Sequence, residues 1–210
     1  MLLAFDTATP AVTVALHDGD RVRAERTVVD ARRHGELLGP GIAQVLADAG
    51  VSPSDLTKLA VGVGPGPFTG LRVGLMTARS MADALGIPVV GVCSLDVLAA
   101  DVVCEGPFLV AIDARRREVY WATYDEKGQR VDGPHVDRPA EVDWSGSAFG
   151  AGALLYHDAF VSAHEPHFPS AATLCELVAD GRVTILEPQP LYLRRPDAVE
   201  PGARKAVTPA

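Results

Sequence analysis

The stretch "LVAIDARRREVYWATYD" (109–125) lies on "LLAFDTATPAVTVALHD" (2–18) without a gap, at a constant offset of 107. Six of the seventeen positions are identical: Leu2/Leu109, Ala4/Ala111, Asp6/Asp113, Val12/Val119, Ala15/Ala122 and Asp18/Asp125. Shared alternation explains part of this, since any two hairpins alternate. It does not explain an aspartate at the same point before each turn. The repeat therefore predicts two related halves, each opening on an antiparallel hairpin that carries an acid at its tip.

The order of elements extends that reading. Residues 2–8, 12–18 and 21–28 are short apolar or alternating runs separated by Thr9-Pro10 and by Asp18-Gly19-Asp20, which predicts three antiparallel strands. A helix is expected over 34–49, with Leu38, Ile42, Val45, Leu46 and Ala49 on one face and Gly50 as its stop. A buried strand follows at 58–64, then a helix capped by Thr69 and running to Leu85, ended by Gly86 and Pro88. A second buried strand at 88–93 precedes a helix over 95–102 capped by Ser94. Strands joined through helices are parallel crossovers, so the sheet is mixed. After the second hairpin the pattern thins to "AEVDWSGSAFGAGALL" (140–155), one helix near 171–180 and a Pro-rich stretch from Glu187. Two acid-tipped hairpins facing each other describe the actin-like ATPase architecture, in which a nucleotide sits between the lobes. The expected division is 1–105, 106–194 and a flexible tail at 195–210, where "PDAVEPGARKAVTPA" lacks apolar periodicity.

Composition narrows the partners. With 19 Lys and Arg against 27 Asp and Glu, the net charge is −8, which disfavours independent binding to nucleic acid. Three cysteines without metal-ligand spacing argue against a disulfide framework and fit a reducing, cytoplasmic setting. No run approaches the roughly 20 apolar residues of a membrane span. No G-x-S-x-G elbow is present, and the histidines of "HEPH" (164–167) with His157 read as surface residues.

The loop "GVGPGPFTGLRVG" (62–74) has the strand–loop–helix setting of a phosphate cradle, in which backbone N–H groups converge on an anion. It lacks the Lys-Ser/Thr of a P-loop, and Pro65 and Pro67 each remove a donor. It reads either as an anion cradle or as a rigid turn that brings the next helix close to the sheet. The helix after it carries an apolar stripe, Leu71, Leu75, Ala78, Ala82 and Leu85. Its other side holds Val73, Met76, Thr77 and Ser80, flanked by Arg72, Arg79 and Asp83. A face so small and weakly polar suits either another helix or burial under the second lobe. Asp6 and Asp113 sit where carboxylates hold Mg²⁺ or water in phosphoryl transfer, or they accept hydrogen bonds within their own turns. The run Arg115–Arg117 is a solvated turn or a contact for RNA in a larger assembly.

The combination of "AFDTAT" (4–9), "GVGPGPFTGLRVG" (62–74), "AIDARRREVYWATY" (111–124) and "PLYLRR" (190–195) resembles the TsaB family, also called YeaZ. The resemblance covers most of the chain in order. It implies an actin-like, ribonuclease H-like α/β fold with two similar mixed-sheet domains, the second reduced. It further implies a dimerisation subunit of the bacterial tRNA threonylcarbamoyladenosine system. Such a subunit pairs with the catalytic relative TsaD through its first two helices, is joined by the small ATPase TsaE, and forms a homodimer in isolation. The enzyme modifies adenosine 37 of tRNAs reading ANN codons, and tRNA would be met through the assembled complex. His34, Leu38 and Ile42, with Arg72, Val73, Met76, Thr77, Arg79, Ser80 and Asp83, are then the expected partner surface. Asp6, Thr7, Gly64, Gly66, Thr69, Gly70, Asp113, Gly150 and Gly152 are a vestigial nucleotide cleft, with ATP or ADP bound only weakly or at a subunit interface. The catalytic relative's two metal histidines align on Ser94 and Leu98, so no metal and no catalysis are expected. The alternative is an active ATPase or kinase-like enzyme using Asp6 and Asp113.

Overall fold

The computed structural model describes residues 1–194. Its first half contains β1 (Leu2–Asp6), β2 (Ala11–His17), β3 (Val22–Val29), α1 (His34–Asp48), β4 (Lys58–Gly62), α2 (Phe68–Leu85), β5 (Val89–Val92) and α3 (Ser94–Ala100). The second half contains β6 (Phe108–Asp113), β7 (Val119–Tyr124), β8 (Arg130–Asp137), β9 (Ser147–Phe149), α4 (Ala151–Leu155), β10 (Ser162–His164) and α5 (Ala171–Ala179).

The strands form two five-stranded sheets, ordered β3-β2-β1-β4-β5 and β10-β9-β6-β7-β8. Each opens with two antiparallel pairings and adds two parallel ones, so the sheets correspond strand for strand. This is the α/β actin-like fold. The second unit is thinner in its helices and not in its strands. A 3-10 turn at Pro139–Glu141 stands where α1 would be, and α4 has five residues against eighteen in α2. Sequence periodicity had shown neither β8 nor β10. β8 carries Gly133-Pro134 and mixed exposure, and β10 has only three residues.

The gapless repeat conceals a slip of one residue. Asp6 pairs with Thr13, whereas Asp113 pairs with Val119, the residue aligned on Val12. A one-residue shift exchanges the faces of a strand. Val12 and Val119 both stay under the corresponding helix, α2 and α4 respectively, and it is β1 and β6 that exchange: Leu3 and Phe5 pack under α1 and α2, whereas the aligned Val110 and Ile112 pack under α3.

The helices do not all stay with the sheet that precedes them. α1 and α2 cover one face of the first sheet through Leu38, Ile42, Val45, Leu71, Leu75 and Ala78. The opposite face, Leu2, Ala4 and Ala15, is covered by Leu174, Cys175 and Val178 of α5, which follows the second sheet in sequence. In exchange, Leu95, Leu98 and Ala99 of α3 pack on Val110, Ile112 and Tyr124 of the second sheet. The last described segment ties the halves again. Leu186 exchanges both backbone bonds with Gly91 at the β5 edge, and Leu191 N–H donates to Val63 O at 2.8 Å.

Two expected caps are absent. Pro67 precedes α2 without a side-chain cap, and Thr69 lies exposed within the first turn. Ser94 is the first residue of α3 and its hydroxyl is used elsewhere. Gly86 does end α2 in the left-handed conformation at φ 65°. Among the described residues no helix is long and apolar enough to cross a membrane. The tail expected at 195–210 lies outside the described residues.

Candidate functional site

The two hairpin tips are built alike. The Asp6 carboxylate accepts from Ala8 N–H at 2.7 Å, and Asp113 accepts from Arg115 N–H at 2.9 Å, the same two-residue turn in each copy. Their surroundings differ. Asp6 is 1% exposed, and Ser94 Oγ donates to its second oxygen at 2.5 Å. Burial pushes its carboxyl above the ordinary 3.8, against the pull of Ser94, Ala8 and the nearby His34. Asp113 stands at the cleft rim, 3.4 Å from the Arg115 guanidinium. Thr9 and Pro10 of the first tip share a cavity of about 230 Å³ with Ile112 and Asp113 of the second.

The glycines of the cleft are spaces filled by the chain itself. A Cβ on Gly62 would lie 2.8 Å from Ser94 Oγ and overlap the Asp6 carboxylate, and one on Gly66 would overlap Ala8 O. One on Gly70 would lie 3.3 Å from His34 Nε2. Thr7 Oγ1 donates to Gly70 O at 2.8 Å and accepts from Gly74 N–H at 3.1 Å, which locks β1 against α2. Gly64 takes φ 91°, and its N–H donates to Ser94 Oγ at 3.2 Å. In the second half Gly150 and Gly152 play the matching part, bringing α4 against Ala111 and Ile112. Leu98 is fully buried in the apolar core and offers no ligand atom, and Ser94 is engaged with Asp6. Among the described residues no three His, Cys, Asp or Glu side chains converge as a metal site.

The α1–α2 surface divides the expected partner residues. Leu38 and Ile42 are buried against the sheet and are withdrawn from the partner surface; they belong to the core stripe of α1. His34 is also buried, its Nε2 2.7 Å from Thr9 O, so it braces the first hairpin instead of facing outward. Arg72, Met76, Arg79, Ser80 and Asp83 are exposed, and Val73 and Thr77 are half-buried. The second lobe does not cover this face. The outward side of α1 is Gly35, Gly39, Ala43 and Ala47, a stripe of small residues four apart that sequence reading passed over. Its signal was the complement of the apolar stripe. At the start of α2, Phe68 stacks on Tyr192 at 5.4 Å, and the Arg72 guanidinium lies 4.0 Å above the Phe68 ring. Arg72 Nε also donates to Tyr192 OH at 3.2 Å.

Among the described residues, the second hairpin tip holds the non-glycine residues with positive φ. Arg115, Arg116 and Arg117 lie at φ 62°, 55° and 62°. A left-handed conformation costs a residue with a side chain roughly 1 kcal/mol or more, so three in succession require external support. Arg194 supplies some of it, donating to Ala114 O at 3.0 Å and pairing with Glu118 at the two ends of the turn.

Comparison with known proteins places this geometry. A family model described as "TsaD: tRNA N6-adenosine threonylcarbamoyltransferase" matches residues 26–186. An uncharacterized protein of Mycobacterium tuberculosis is 48% identical over 203 residues, covering 94% of this chain and 93% of that protein. The tRNA threonylcarbamoyladenosine biosynthesis protein TsaB of Escherichia coli is 32% identical over 221 residues, covering 92% and 94%. Among solved structures, YeaZ from Pseudomonas aeruginosa superposes with a TM-score of 0.78 at 33% identity, covering 91% of this chain and 99% of that one. The fold with its paired hairpins and a full-length match of this kind have one reading: the chain belongs to the TsaB (YeaZ) family.

Proposed function

We propose that the chain serves tRNA threonylcarbamoyladenosine biosynthesis as a non-catalytic subunit that docks on, and activates, the catalytic relative TsaD. The observation that carries this is the open face of α1 and α2. Gly35, Gly39, Ala43 and Ala47 let a partner helix approach the α1 backbone closely. Met76, 58% exposed, supplies an adaptable apolar anchor beside Val73, Thr77 and Ser80. Arg72, Arg79 and Asp83 form the charged rim, whose worth is mainly in orientation. The same face serves a homodimer when the partner is absent, and the small ATPase TsaE joins the pair. The match of the chain to the TsaD family model supports a pairing between two proteins of one fold.

The rival reading, an ATPase using Asp6 and Asp113, is disfavoured by the cleft's own contacts. The Asp6 carboxylate is occupied by Ser94 and Ala8, and the glycine loop packs on the first hairpin where an anion would lie. The reading excludes intrinsic ATPase and protease activity and gives the isolated chain no cofactor.

The test is co-purification of this chain with TsaD, followed by tRNA modification with and without it. Met76→Asp should abolish pairing and modification while leaving the chain folded. Pairing untouched by Met76→Asp together with Arg79→Glu would reject the surface. Micromolar ATP binding with turnover by the isolated chain would reject the non-catalytic role.

A further inference from the structure

We propose that the left-handed arginine turn of the second hairpin, with Arg32 and Arg138 on either side, is a docking surface for the phosphate backbone of the RNA substrate. This rests on the reading that the chain works in tRNA modification, and it extends that reading to a surface away from the α1–α2 face.

Placement is the first argument. Arg32, from the loop between the first sheet and α1, and Arg115 line one cavity of about 200 Å³. Arg117 and Arg138, the residue that follows β8, line the next, of about 320 Å³. Five of the chain's 19 basic residues thus gather around one tip in a protein whose net charge is −8. Self-repulsion does not scatter them, so the surface is cationic against the trend of the molecule.

Pairing is the second argument. Asp113 neutralises Arg115 at 3.4 Å, and Glu141 sits 3.9 Å from Arg138. Asp158 also borders the second cavity, and Glu118 is engaged by Arg194. Arg32 and Arg117 make no ion pair with any described residue, although carboxylates outnumber basic groups in the chain. Two guanidinium groups on opposite sides of the tip therefore keep their charge for an external anion.

Backbone geometry is the third. Three consecutive left-handed residues point their side chains in directions that an ordinary turn would not, and Arg194 holds both ends of that turn. A guanidinium carried on a backbone constrained in this way presents a planar fork that suits phosphate oxygens better than an ammonium would. Phosphates recurring along a backbone match cations spread across a tip better than the isolated carboxylates of a protein surface do. Docking here positions the RNA and carries no base specificity.

The experiment uses the full chain paired with TsaD and an unmodified tRNA reading an ANN codon. The variant is Arg32→Ala with Arg117→Gly; glycine keeps the left-handed conformation at no cost. Arg32→Lys with Arg117→Lys is the charge-preserving control. Fluorescence anisotropy over a salt series gives affinity and its salt slope. The neutral variant should bind tRNA about five- to tenfold more weakly near 0.1 M salt, with the log–log slope reduced by about 1.5 to 2. Its pairing with TsaD, read by sedimentation, should be unchanged, and the lysine control should keep the wild-type slope. Unchanged tRNA affinity and slope in an intact pair overturn the proposal. So does loss of TsaD or TsaE association with tRNA contacts retained, because the turn would then be a protein contact. If the wild-type chain fails to pair with TsaD, the docking reading falls. The arginine surface is then judged by the same comparison on the isolated chain near 20 mM salt, where equal binding by wild type and variant overturns it.

Discussion

Ser94→Ala is the substitution whose cost the structure specifies most closely. The hydroxyl donates to Asp6 Oδ2 at 2.5 Å and accepts from Gly64 N–H at 3.2 Å, and serine and aspartate are both 1% exposed. Alanine leaves two buried polar groups without this partner, and the overlap at Gly62 shows how little room surrounds them. Each such loss costs about 1–3 kcal/mol, so the two together cost about 2–6 kcal/mol. For a chain of this size that corresponds to a fall of about 4–24 °C in Tm. Acidity supplies a second readout. Burial raises the Asp6 pKa above 3.8 in the folded state. Between 3.8 and that raised value the folded chain holds a proton that the unfolded chain has lost, so stability falls as pH rises through the window. Ser94 favours the charged form, so removing it lifts the folded value further and widens the window. The deficit of Ser94→Ala should therefore be largest near neutral pH and shrink on acidification. It should also shrink in an Asp6→Asn background, where no buried charge remains to be stabilised. Urea unfolding of the four members of this cycle at two pH values measures all of it. A deficit below about 0.5 kcal/mol, or one indifferent both to pH and to Asp6→Asn, would refute the account.

Gly74→Ala forces a Cβ onto Thr7 Oγ1, the hydroxyl that joins β1 to α2, and should cost about 2–3 kcal/mol in chemical denaturation. Gly35→Ala meets open space on the α1 surface and should leave folding stability intact while weakening partner docking, read by sedimentation with TsaD. The thiols of Cys93 and Cys175 are pushed up to about 12 by burial, so at about pH 8 a disulfide reagent should titrate Cys104 quickly and the other two only after denaturant is added. Arg194→Ala releases Ala114 O and Glu118 at the arginine turn and should speed amide exchange there without affecting α2.

Much of the first half was legible because its signals are local. The β2 residues are buried throughout, the α1 and α2 stripes repeat at helical spacing, and Gly86 marks a helix end that the backbone realises. The second half was less legible for the same reason in reverse. β9 and β10 have three residues each, too few to show a period, and are strands only because β6 lies beside β9. The outward face of α1 was misassigned because Leu38 and Ile42 were expected to serve a partner, when the sheet beneath already claims them.

From its residues alone the chain was bound to form two acid-tipped hairpins, mixed sheets and amphipathic helices, since these follow from neighbours a few positions apart. Tertiary structure decided the rest. It set the one-residue slip between the repeats, sent α3 to the second sheet and α5 to the first, and took Ser94 from a helix cap to Asp6. Each of these pairs residues far apart in sequence, Asp6 with Ser94 across 88 positions, and depends on which apolar face is left uncovered once the sheets have formed. Burial of that remaining surface, and no local preference, chose the partner.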